Sequence, residues 1–168
     1  MLHDGGVIDS IRNRIFGDTI KYKREWYTVD ALFVSGKDLH SDGLSFPSEI
    51  HAVIEHEQGD DIEIEMWKLT HWRAPLKVIF FYGWNDDDVS KNEIRMRWKE
   101  EKINHLMSML KSVNEFHKES SNTEYLFIIG ARRDVRSTPY WECIYFDSDI
   151  TEQINTIIIG SDGNILSS

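Results

Sequence analysis

IHAVIEHEQGDDIEIEMWKLTHWRAPLKVIFFY, residues 50–82, carries the fold in one reading. Ile50 to Glu57 is rich in β-branched and alternating apolar residues and predicts a strand. Asp61 to Arg73 has helical spacing, with acids in a first turn that suit the positive end of the helix dipole. Ala74-Pro75 stops that helix, because the residue before a proline is pushed out of the α region. Leu76 to Tyr82 is a nearly continuous apolar run, the pattern of a strand buried on both faces. Strand, helix, strand in this order predicts a parallel pair joined by a crossover.

Working outward, Trp26 to Val34 (WYTVDALFV) reads as an earlier strand, separated from Ile50 by the Gly, Ser, Asp and Pro-rich loop 35–49. These two strands are expected to be antiparallel neighbours. Val7 to Phe16 predicts a short amphipathic helix ended by Gly17. Asp88 to His117 predicts a long helix whose apolar stripe is Ile103, Leu106, Met107, Leu110, Val113 and Phe116. Tyr125 to Ala131 and Tyr140 to Phe146 read as further strands, and 150–168 as either a strand and turn or a short helix with a frayed end. The expected fold is α/β, with a mixed central sheet flanked by helices in a single domain over residues 1–168.

Composition narrows the function classes. The chain has 168 residues, 40% hydrophobic, with six Trp, six Tyr and eight Phe, enough apolar surface to bury a core. No apolar run approaches the ~18–20 residues of a membrane helix, so no membrane association is expected. MLHDGGVIDS has no basic patch followed by an apolar stretch, and Cys143 stands alone, so a cytoplasmic location is expected. The net charge of −10 disfavours a generic polyanion binder, but the basic residues are clustered. Lys21, Lys23 and Arg24 form one island, Arg95 to Lys99 another, and Arg132, Arg133 and Arg136 a third suited to bidentate phosphate contacts. Trp84, after a strand end, is a candidate for stacking on a base. Seven His occur without HExxH or similar spacing, which gives no basis for zinc.

Asp30 interrupts an otherwise good strand, and Glu55 and Glu57 fall at the end of the next, on one face by strand alternation. A carboxylate in an apolar strand is costly unless paired or bound to metal. An Asp that leans to a sheet edge and meets water or an Arg is the plain alternative. Converging, these acids would make a site for a hard cation such as Mg²⁺ or Mn²⁺. Glu65 and Lys68 are three apart on the following helix, hence on one face. They are either an ordinary surface ion pair or part of the same site. His71, one turn beyond Lys68, is a further candidate for that cleft, and His56 is expected on the opposite face.

EWYTVDALFV, EIHAVIEHEQ and EIEMWKLTHWRAPLKVIFFY, within residues 25–82, together resemble the PD-(D/E)XK nuclease superfamily, the restriction-endonuclease-like fold. Asp30 resembles its first acid and Glu55 its second, with Glu25 a weaker match to a preceding Glu. The pattern departs from the family where Val29 replaces Pro and where Glu57 stands in place of Lys. Lys68, or alternatively Lys77, is the substitute lysine. The resemblance implies Asp30, Glu55 and Glu57 on Mg²⁺ or Mn²⁺, Lys68 orienting water or phosphate, and nucleic acid as substrate, with DNA ahead of RNA. The rival expectation is a non-catalytic acidic protein that binds a basic partner. A homodimer through the long helix is a third.

Overall fold

A computed structural model describes residues 21–26, 28–35, 49–57, 61–82, 92–117, 123–131, 140–146, 153–160 and 164–167. The described elements are β1 (Lys21–Trp26), β2 (Val29–Ser35), β3 (Glu49–His56), α1 (Ile62–Thr70), β4 (Leu76–Tyr82), α2 (Asn92–His117), β5 (Glu124–Ala131), β6 (Tyr140–Phe146), β7 (Gln153–Gly160) and β8 (Ile165–Ser167). They form a mixed α/β fold around one sheet of eight strands, in which spatial order equals chain order.

The pairing follows from the connections. β2 and β3 are antiparallel, as expected. β3, β4 and β5 are parallel, and each step between them is made by a helix, α1 and then α2. Two successive right-handed crossovers that move across the sheet in one direction put both helices on the same face. Ile62, Met66 and Leu69 of α1 and Leu106 and Leu110 of α2 accordingly share one buried cluster with Leu32, Val53, Ile79, Phe81, Tyr125, Phe127, Ile144 and Phe146. Each large apolar side chain fully buried there stabilises the fold by roughly 1.5–3 kcal/mol. The opposite face carries a smaller cluster of Ala31, Phe33, Ala52, Ile54 and Val78.

The sequence-predicted strands at 76–82 and 140–146 coincide with β4 and β6. The stretch 26–34 differs. It spans a reversal between Trp26 and Val29, which are themselves paired. The basic segment KYKREW is a strand of its own, β1, and it lies at one edge of the described sheet. Lysines on an edge strand discourage pairing with a further chain, which reconciles the charge with the strand. Glu25 therefore belongs to a strand. α1 ends at Thr70, short of Arg73, because the His71 and Trp72 amides tighten onto the Lys68 and Leu69 carbonyls. The C-terminal stretch resolves into two strands, β7 and β8. The expected helix at 7–16 and the first residues of the expected long helix, 88–91, lie outside the described residues.

Candidate functional site

Asp30 is the second residue of β2 and Glu55 the last but one of β3. The antiparallel register that sets Ala31 against Ile54 brings the two acids to the same end of the sheet. Their contacts are reciprocal. The Asp30 amide donates to Glu55 Oε2 at 3.3 Å, and the His56 amide donates to Asp30 Oδ2 at 2.7 Å. Each carboxylate thus holds a backbone N–H of the facing strand.

Lys68 reaches the pair from α1. That helix packs its Ile62, Met66 and Leu69 face on the sheet, which leaves Glu65 and Lys68 together on one flank. Lys68 Nζ lies 3.4 Å from Glu55 Oε1, forms an ion pair with Glu65, and donates to the Thr28 carbonyl at 3.1 Å. Apart from this long ion pair, Oε1 is buried and has no hydrogen-bond partner among the described residues. The Glu55 side chain is 1% exposed.

The charges do not balance, because Glu55 and Glu65 share the one Lys68 ammonium and Asp30 stands beside Glu55. Burial pushes the Glu55 carboxyl up to about 8, and the neighbouring Asp30 and Glu65 charges add to that, while Lys68 opposes it. Burial also works against the Lys68 ammonium. Its hydrogen bond to Glu65 and the Glu55 charge outweigh this and hold it above the ordinary lysine value.

The other expected residues distribute as follows. Glu57 lies just beyond β3, its amide bonded to the Phe80 carbonyl, and its charge acts on His56. His56 is on the opposite face, where its Nε2 meets the Tyr82 hydroxyl at 2.9 Å. Burial lowers its pKa. His71 bonds the Trp67 carbonyl at 2.8 Å at the end of α1 instead of joining the cleft. Lys77 is 1% exposed in the helix-face core, with Nζ 5.5 Å from the Tyr125 ring centroid and 3.4 Å from the Thr70 carbonyl. Between the two candidate lysines, the structure brings Lys68 to the acids. Lys21, Lys23 and Arg24 lie on β1, with Arg24 paired in register to Ala31, beside Asp30. Arg132, Arg133, Arg136 and Trp84 lie outside the described residues. Cys143 is half-buried on β6, and burial raises its thiol pKa.

Sequence reasoning missed two partners. The Thr28 carbonyl is a backbone group with no sequence signature. The Tyr82–His56 bond had a usable signal, since both residues end strands joined by a helix and therefore parallel.

Among the described residues, no group of three or more His, Cys, Asp and Glu side chains is gathered to hold a metal ion. A Mg²⁺ ion needs fewer, since it commonly takes one or two carboxylates and fills its remaining positions with water and substrate phosphate. Asp30 and Glu55 supply that number, and the unsatisfied Glu55 oxygen supplies a reason for a cation. No helix among the described residues is long and apolar enough to cross a membrane. No family model, curated protein or solved structure gives a significant match to the chain.

Proposed function

We propose that this chain is a metal-dependent phosphodiesterase acting on nucleic acid, of the kind implied by its resemblance to the PD-(D/E)XK superfamily. The observation that carries the reading is the buried, unsatisfied Glu55 oxygen beside Asp30 and Lys68. Strand Asp, strand Glu, helix Lys and a further strand occur in the order that the resemblance implies.

Asp30 and Glu55 are the residues to hold Mg²⁺ or Mn²⁺. Such an ion supplies a bound water of lowered pKa and neutralises charge on the phosphate. Lys68 stays protonated through Glu65 and is placed to orient a water or the phosphate. Glu57, at the open end of β3, takes the secondary role of orienting water. The basic strand β1, next to β2, supplies Lys21, Lys23 and Arg24 for backbone phosphates. Arg132, Arg133 and Arg136 have the same role in this reading.

The test is cleavage of single- and double-stranded DNA and RNA with Mg²⁺ or Mn²⁺. Activity abolished both by a chelator and by Glu55→Ala is the expected result, and activity that survives Glu55→Ala refutes this site. A second reading, a non-catalytic acidic protein with a basic protein partner, draws on the net charge of −10 and on the engagement of Lys68 by Glu65. A wild type that neither cleaves nor binds Mg²⁺ by calorimetry favours it.

A further inference from the structure

The end of the sheet that holds Asp30 and Glu55 has a second side. On the face away from the helices, four rings meet there: His56 at the end of β3, Phe80 and Tyr82 at the end of β4, and Trp141 at the start of β6. His56 and Tyr82 approach edge to face with centroids 5.6 Å apart, and Tyr82 and Trp141 lie tilted at 6.0 Å. Phe80 backs the group, edge to face with both His56 and Trp141.

Tyr82 is the outermost ring, 36% exposed at its place in the sheet. It lies directly on Gly130, where a Cβ would fall 2.6 Å from its Cδ1 and 2.9 Å from its Cε1. The missing side chain at 130 is what lets the ring lie down on β5. The hydroxyl is fixed by His56 Nε2 at 2.9 Å. A ring held on one side by backbone and pinned at its hydroxyl offers a preformed aromatic surface. The ring group and the carboxylates share one end of the sheet on its two faces, since Glu55 and His56 are successive residues of β3 and the His56 amide is bonded to Asp30 Oδ2 at 2.7 Å.

We infer that Tyr82 is a stacking platform for an unpaired nucleobase of the strand whose phosphate lies at Asp30 and Glu55, which makes single-stranded nucleic acid the substrate class. The inference rests on the nuclease reading for the position of the phosphate. A strand that crosses the end of the sheet meets acids on one face and the ring on the other, so phosphate and base of neighbouring nucleotides are engaged together. A base inside a duplex is stacked on both sides and has no face to give. Stacking on an aromatic ring tolerates any base, so the platform selects strandedness and not sequence.

The probe is a fluorescein-labelled oligothymidylate, compared with an abasic strand of equal length and a duplex, in low salt with chelator so that nothing is cut. Binding is followed by anisotropy for wild type, Tyr82→Phe and Tyr82→Leu, with folding checked by circular dichroism. Wild type is expected to prefer the oligothymidylate over the abasic strand by roughly 5- to 100-fold. Tyr82→Phe keeps that preference and Tyr82→Leu loses it. Equal binding of the two strands by wild type, or a preference that survives Tyr82→Leu, overturns the platform. Failure of the nuclease reading shows differently. If no strand is cut under Mg²⁺ while the Tyr82-dependent preference persists, the platform stands without the chemistry. If cutting is intact but wild type has no preference for bases, the chemistry stands without the platform.

Discussion

Replacing Glu55 with Gln keeps the shape of the side chain and removes its ionisation. In the wild type this carboxyl, 1% exposed, has its pKa raised from 4.5 to about 8 by burial, with Asp30 and Glu65 adding to the shift. Between those two values the folded chain holds a proton that the unfolded chain has released. Stability therefore falls as pH rises through this window, by at most about 1.4 kcal/mol per pH unit. The fall begins near pH 4.5, where the unfolded carboxyl ionises, and levels off above about pH 8, where the folded one does. The whole difference is about 5 kcal/mol, an upper figure, because relaxation and water penetration on ionisation soften the burial penalty that dominates the shift. Glu55→Gln escapes it. Its stability relative to wild type should climb steadily from about pH 5 to about pH 8 and then stay level. Titrations common to both proteins, His56 and Cys143 included, cancel in that comparison. Urea unfolding of both proteins in chelator, at unit pH steps across the window, measures the gap. Parallel profiles would refute the reasoning, since they would mean that Lys68 keeps Glu55 ionised throughout.

Two further outcomes follow from other parts of the molecule. If Asp30 and Glu55 hold the ion, Mg²⁺ must displace the Glu55 proton below about pH 8, so affinity should rise with pH by up to about tenfold per unit and then level off. Calorimetry in two buffers of different ionisation heat detects the released proton, and a pH-independent affinity rules the coupling out. Phe127 is fully buried, with the rings of Phe81 and Phe146 at 6.4 and 5.0 Å. Phe127→Ala should cost about 3–5 kcal/mol in chemical denaturation, and a loss under 1 kcal/mol, well below that range, would contradict the placement of the core on the helix face.

Much of the central layer was legible because its signals are local. LKVIFFY and YWECIYF are dense apolar runs, and the helical stretches between parallel strands dictate the crossovers. Asp30 and Glu55 were legible for the opposite reason, as charges where the surrounding residues demand apolar ones. β1 was hidden because KYKREW is mostly charged, and the reversal after Trp26 contains no Gly, Pro, Asn or Asp to mark it. The choice between Lys68 and Lys77 required packing. Both lie within reach in sequence, and only the docking of α1 turns one toward the acids while the sheet buries the other. The ring group around Tyr82 depends on the register between four strands, β3 to β6, which no local pattern encodes.

The sheet lists its strands in the order in which they are synthesised. Among the described strands every hydrogen-bonded neighbour is therefore a neighbour along the chain, and none of them has to insert between earlier ones. During translation the growing sheet has a single advancing edge, and each new strand needs only to find the one before it. Loop-closure entropy is then confined to one linker at a time. The two steps that ask for more are β3 to β4 and β4 to β5, where a helix must form and dock before the parallel pair can close. Asp30 and Glu55 meet across the local antiparallel pair β2–β3, whereas Lys68 joins them only through the docking of α1.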